Sequence, residues 1–167
     1  MDIHLSSTPE IISRPASLVL YLEKRGPFNK IAAQAWFDFV WITKGKIDER
    51  NVEKGASLMY TDKRQKGDAA FIYQAGVLLK SPPPEVPQGL MLRPLAAGTY
   101  ARFLLKGSYR HLHAAHAAVL AMMKAPGLKI RDDFLIEKYL NKPSVTPESE
   151  LETEILVPVR EGEYAKG

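Results

Sequence analysis

Ser81-Pro82-Pro83-Pro84-Glu85-Val86-Pro87 is the stretch that decides the fold. Its four prolines fix φ and withhold backbone donors, which excludes helix and central strand and leaves an extended connector. The connector lies almost at the midpoint of 167 residues, and the sequence before it resembles the sequence after it. On the N-terminal side, Arg14-Pro15 leads into the mostly apolar run Ser17 to Glu23, and Lys24-Arg25-Gly26-Pro27-Phe28 reads as a turn. On the C-terminal side, Arg93-Pro94 precedes the run Thr99 to Leu105, and Lys106-Gly107-Ser108-Tyr109 follows. Gly26 and Phe28 fall 81 positions before Gly107 and Tyr109.

A helical pattern succeeds each turn. Ile31, Ala35, Phe39 and Ile42, with Ala32, Trp36 and Val40 beside them, follow the i, i+4 spacing up to a stop at Gly45. Leu112, Ala115, Val119 and Met122 repeat it up to Pro126-Gly127, so helices are predicted over 29–44 and 110–124. Two β candidates come after each helix, 56–61 and 69–79 in the first half, 134–140 and 152–159 in the second. Tyr60 answers Tyr139 at an offset of 79. The chain thus reads as an α+β fold of tandem duplicated βαββ units within one domain, 1–167. Repeat 1 spans about 14–79, repeat 2 about 93–159, and the Pro-rich linker 81–87 crosses between them. Pairing about a pseudo-twofold predicts an antiparallel sheet with two helices on one face and a concave ligand groove on the other.

Composition narrows the function classes. Hydrophobic residues at 46% and charged residues at 25% fit a soluble globular chain. The absence of cysteine excludes disulfides, thiolate metal sites and a catalytic thiol. With 23 Lys and Arg against 19 Asp and Glu, the net charge of +4 argues against direct, sequence-specific nucleic-acid binding. Residues 1–12 lack a basic start with an apolar run behind it, so no secretory signal is read there. The longest greasy stretch, Ala69 to Leu79, is broken by Gln74 and Gly76 and is shorter than the ~20 residues a membrane helix needs. The expectation is a cytoplasmic protein with no membrane partner. Without a G-x-G-x-x-G, H-E-x-x-H, G-x-S-x-G or Walker pattern, no cofactor is expected.

Phe134-Leu135-Ile136-Glu137-Lys138-Tyr139-Leu140-Asn141 carries the most chemistry. Alternation puts Leu135, Glu137 and Tyr139 on one face and Phe134, Ile136, Lys138 and Leu140 on the other, and both faces are largely apolar. An acid there must find a partner or take up a proton. An exposed strand carboxylate paired with a nearby Lys or Arg is the alternative. At the offset of 79 its counterpart is Leu58, which makes the acid a feature of one repeat only. His111, His113 and His116 do not converge at ~100° per helical residue, so they read as solvated helix polarity and no metal is assigned. Arg64, with Lys63 and Lys66, reads as a solvated turn. Trp36 and Phe39 belong to the apolar helix stripe and read as core. Trp41 lies off that stripe, and Tyr21, Tyr60, Tyr73, Tyr100 and Tyr139 are strand tyrosines able to line the concave face.

These residues together resemble the GyrI-like family, also called the AraC-type effector-binding domain. The resemblance is carried by Arg14-Pro15 with Gly26-Pro27-Phe28, Gly98-Thr99-Tyr100-Ala101 with Gly107-Ser108-Tyr109, Ile136 to Asn141, and Thr153-Glu154-Ile155-Leu156-Val157-Pro158-Val159, and it covers about residues 10 to 160. It implies a stand-alone, transcription-regulator-like member that senses or sequesters lipophilic, cationic or aromatic compounds, as multidrug-binding relatives do. The buried acid falls on Glu137, and Tyr139, Tyr60, Tyr100, Trp41 and Tyr73 are the accompanying ligand-binding candidates. Only about ten residues precede the first β motif, which leaves no room for a helix-turn-helix. The resemblance also implies two alternatives. One is a hydrolase of electrophilic natural products in which the catalytic candidates Glu137 and Tyr139 activate water, although no extended aromatic-rich N-terminal region is present. The other is an interaction module with a protein partner, gyrase or a regulator.

Overall fold

The first apolar run forms a strand that carries on to Arg25 and breaks at Gly26, whose φ of 139° lies where side-chain-bearing residues are strained. Gly107, with φ 124°, ends the equivalent strand of the second half. The computed structural model describes residues 3–124 and 127–160, and Pro126, read above as a helix stop, lies outside them. In chain order the strands are β1 (His4–Leu5), β2 (Glu10–Arg14), β3 (Ser17–Arg25), β4 (Val52–Thr61), β5 (Phe71–Leu79), β6 (Met91–Leu95), β7 (Gly98–Lys106), β8 (Leu135–Tyr139) and β9 (Glu152–Pro158). The helices are α1 (Phe28–Thr43) and α2 (Leu112–Met122). This is the antiparallel α+β architecture that the duplicated pattern predicts.

The chain sorts into two compact units, one of Pro15–Ala97 and one of Met1–Arg14 with Gly98–Gly167. In the first, the strands run β4-β5-β3-β6. In the second they run β8-β9-β7, with β1 and β2 both on the far side of β7. Each order is the other's counterpart, because β6 lies beside β3 as β2 lies beside β7. The units therefore differ from the contiguous halves that the sequence suggests. Residues 81–87 join β5 to β6 inside one unit, and the chain passes between units at Arg14-Pro15 and Ala97-Gly98. The physical reason is that the residues read as lead-ins are strand: Arg93-Pro94 lies within β6, and Arg14 ends β2. Pro94 is tolerated because β6 is the outer strand of its unit, where a missing N–H breaks no inner ladder. Arg102 on β7 bonds Glu154 on β9 and Glu10 on β2, which ties three strands together.

Each unit buries one helix against one face of its sheet. The buried residues of α1 are Ala35, Phe39 and Thr43. Those 80 positions further on, Ala115, Val119 and Met123, are also buried, and they pack with Phe103, Leu105, Ile155 and Val157. Burying each large side chain of this kind contributes roughly 1.5 to 3 kcal/mol before entropy is counted. Among the described residues no helix is long and apolar enough to cross a membrane.

Candidate functional site

Glu137 is opposite Ile155 on β9, and Ile155 is opposite Phe103 on β7. Since Ile155 and Phe103 belong to the core under α2, Glu137 shares the helix-covered face of its sheet rather than the open face expected from sequence. It is 1% exposed. A carboxylate so placed must be partnered. His116 on α2 places Nε2 at 2.5 Å from Oε2, and the Tyr139 hydroxyl donates to Oε1 at 2.7 Å. The Tyr139 ring in turn meets Tyr109 at 5.3 Å between centroids, tilted by 54°. Burial, reinforced by the negative charge of Glu137, holds the Tyr109 phenol above its ordinary pKa. Thr153 stands opposite Tyr139 on β9, fully buried, and its hydroxyl has no hydrogen-bond partner among the described residues.

The other unit holds an uncharged version of this cluster. Trp36 Nε1 donates to Ser57 Oγ at 3.0 Å and to Tyr73 Oη at 2.9 Å, and the two hydroxyl oxygens are 2.8 Å apart. Phe28 meets the Tyr73 ring edge-on at 5.8 Å. Ser57 pairs with Ala75 as Glu137 pairs with Ile155. The pairs Ser57/Glu137, Ala75/Ile155, Trp36/His116 and Tyr73/Thr153 all lie 80 positions apart. The counterpart of Glu137 is therefore Ser57, not Leu58. The offset of 79 drawn from Tyr60 and Tyr139 is out of register by one, and in a strand one residue reverses the face.

The strand tyrosines consequently do not share a wall. Tyr73 and Tyr139 face the helices of their own units. Tyr60 alternates with Met59 and points to the face away from α1, half-buried. Tyr100 points away from α2 and is 1% exposed, its ring flanked by the guanidinium carbons of Arg14 at 6.0 Å and Arg131 at 5.1 Å. Tyr21 carries Arg93 over its ring at 5.4 Å. Trp41 is 71% exposed on α1, next to the likewise exposed Phe37 and Val40. With Trp36 and Lys44, these three line an open apolar depression of about 590 Å³. Among the described residues no cluster of three His, Asp or Glu could hold a metal. Arg64 turns its guanidinium onto Asp62 at 3.0 Å.

Sequence reading missed His116 and Tyr109, and took Trp36 for core packing alone. Set beside the other two histidines alone, His116 marks no site. The signal that identifies it is its position 80 residues after Trp36, on the stripe that faces the sheet.

A family model for the GyrI-like small molecule binding domain matches residues 7–160. The chain belongs to the GyrI-like family. Among curated proteins no relative is significantly similar. Solved structures show the same fold at low identity. SAV2435 bound to tetraphenylphosphonium is similar to this GyrI-like chain with a TM-score of 0.73 and 12% identity, covering 94% of this chain and 96% of that one. The EcmrR C-terminal domain has a TM-score of 0.65 and 16% identity, covering 96% and 99%. A hydrolase encoded by lin2189 from Listeria innocua has a TM-score of 0.55 and 13% identity, covering 94% of each chain.

Proposed function

We propose that this GyrI-like protein senses or sequesters lipophilic cations in the cytoplasm, with Glu137 as the anchor and Tyr139 as its nearest hydroxyl. The observation that carries the reading is a carboxylate 1% exposed beneath a helix, held among the described residues by one imidazole and one phenol and by no Lys or Arg. A fixed surface ion pair would use a permanent cation; an exchangeable partner leaves the acid able to take a cation from solution. Trp41 and Tyr73 belong to the other compact unit and have no part in this proposal. Tyr60 and Tyr100 have no part in this proposal, since each lies on its sheet's other face.

The likeness to SAV2435, solved with tetraphenylphosphonium, supplies the probe. A charge-assisted contact contributes about 1.5 to 3 kcal/mol, so Glu137→Gln is expected to weaken tetraphenylphosphonium by about tenfold to a hundredfold in isothermal titration. Neutral triphenylphosphine oxide is expected to bind both proteins alike. Equal losses for the two compounds would show that Glu137 is structural.

The Tyr139–Glu137 hydrogen bond favours a second reading, hydrolysis of an electrophilic compound. Glu137 would take a proton from attacking water while Tyr139 or His116 gives one to the leaving atom. Recovery of tetraphenylphosphonium-competing ligands unchanged supports binding; a hydrated product beyond one equivalent supports the enzyme.

A further inference from the structure

His116 and Glu137 occupy the positions that Trp36 and Ser57 occupy in the other unit, so the acid and the base depart from the internal pattern together. At 2.5 Å they are also each other's nearest charged neighbour. Among the described residues of this unit, β8 contributes Tyr139, the turn before α2 contributes Tyr109, and β9 contributes the Thr153 hydroxyl and Ile155. Phe103 is the facing residue on β7, and on α2 His113 is exposed one turn before His116. Lys138, Glu152 and Glu154 alternate onto the opposite face of the sheet.

We infer that His116 is the resident counter-ion of Glu137 and that a cationic ligand must displace it, so that protons and ligand compete for one carboxylate. This rests on the reading of Glu137 as the anchor. An imidazolium and a ligand cation cannot both sit on a carboxylate that is 1% exposed, because the second charge would be buried without a partner. When His116 is protonated, the site exchanges one cation for another: the ligand takes Glu137, the imidazole becomes neutral, and the proton leaves to solvent. When His116 is already neutral, the ligand displaces only a hydrogen bond. By linkage, affinity for a monocation is weakened on the acid side by up to tenfold per pH unit and levels off once the imidazole has lost its charge. A neutral ligand experiences no such slope.

The test is isothermal titration of tetraphenylphosphonium, a permanent cation with no titrating group, from pH 5 to 9. Wild-type protein is expected to show the slope and, in two buffers of different ionisation enthalpy, release of up to one proton on the acid side. His116→Gln keeps an N–H donor and cannot take up charge, so its affinity is expected to be pH-independent and close to the wild-type alkaline plateau. A flat wild-type profile without proton release, or a slope that survives in His116→Gln, overturns the inference. The wild-type proton count decides the matter even where the variant fails to fold. Loss of the Glu137→Gln effect overturns instead the anchor reading on which the inference depends.

Discussion

Replacing His116 by Ala and Glu137 by Gln, singly and together, should reveal how strongly the cluster couples helix to sheet. The carboxylate side chain is 2% exposed and the imidazole 19%, so desolvation weighs more heavily on the acid. Removing His116 leaves a buried carboxylate with one phenol as its partner, and breaking a buried pair in this way costs about 3 to 5 kcal/mol; partial exposure of the histidine puts the expectation near the lower end, about 3 kcal/mol. Glu137→Gln keeps the shape and the Tyr139 contact but loses the charge, for about 1.5 kcal/mol. In the double variant no buried charge remains to be stranded. Its loss should fall short of the sum by about 1.5 to 3 kcal/mol, the size of a charge-assisted bond. Urea unfolding followed by far-ultraviolet circular dichroism measures all four proteins, with equal slopes in denaturant required for the comparison. Losses that add to within about 0.5 kcal/mol would refute the claim that these side chains act as a unit.

Three further outcomes follow from the geometry. Trp41→Ala should change unfolding free energy by less than about 0.5 kcal/mol in urea unfolding, since the ring is 71% exposed; a loss above about 1 kcal/mol would show that the ring packs against the fold. Burial and Glu137 raise the folded-state pKa of Tyr109 above its unfolded value of about 10, so the folded state binds the proton more tightly and stability falls as pH rises through that interval. Tyr109→Phe should remove that part of the alkaline loss, read from urea midpoints at pH 9 and 11; identical slopes in both proteins would contradict it. Gly26→Ala and Gly107→Ala should each cost about 1 to 3 kcal/mol for positive φ. Gly26 should cost more, because its Cβ would sit 3.1 Å from Ile31 Cγ2 whereas that of Gly107 finds nothing nearer than 4.0 Å. The reverse order in thermal melts would show that the Ile31 contact does not set the ranking.

Duplication was legible because it rests on backbone requirements that repeat in sequence: a glycine after each long strand, then a buried stripe at i, i+4, i+8. Strand β6 was hidden by Pro94, since a proline on an outer strand and a proline in a turn look alike in one dimension, and β2 was hidden by Pro15 just beyond its end. Glu137 could be picked out by its apolar surroundings, but alternation gives two faces without saying which of them carries the helix. That choice depends on Ile155 and Phe103, which are distant in sequence, and it turned the presumed groove acid into a residue beneath α2. The pairing of Tyr60 with Tyr139 goes astray in a related way: an offset of 79 in place of 80 exchanges the two faces.

The contrast between the two clusters makes a physical argument about division of labour within the repeat. Both helices cover a polar group at the same strand position, so the fold itself accommodates polarity there. In one unit, Trp36, Ser57 and Tyr73 meet this need with three neutral groups whose mutual bonds lie between 2.8 and 3.0 Å. In the other, Thr153 replaces Tyr73 and is too short to reach across to the acid, and Tyr139 supplies the phenol from β8 instead. Packing alone does not call for the change, because the neutral trio already satisfies the same position at no cost in buried charge. A buried carboxylate in its place gains the fold nothing over the neutral trio, since exchanging a buried ionic pair for uncharged groups of similar volume is often neutral or stabilising. The asymmetry can be probed directly by the triple variant His116→Trp, Glu137→Ser, Thr153→Tyr. Such a protein is expected to unfold at the wild-type denaturant concentration or above it and to lose its preference for tetraphenylphosphonium over triphenylphosphine oxide. A preference that survived the exchange would place the recognition of charge elsewhere in the molecule.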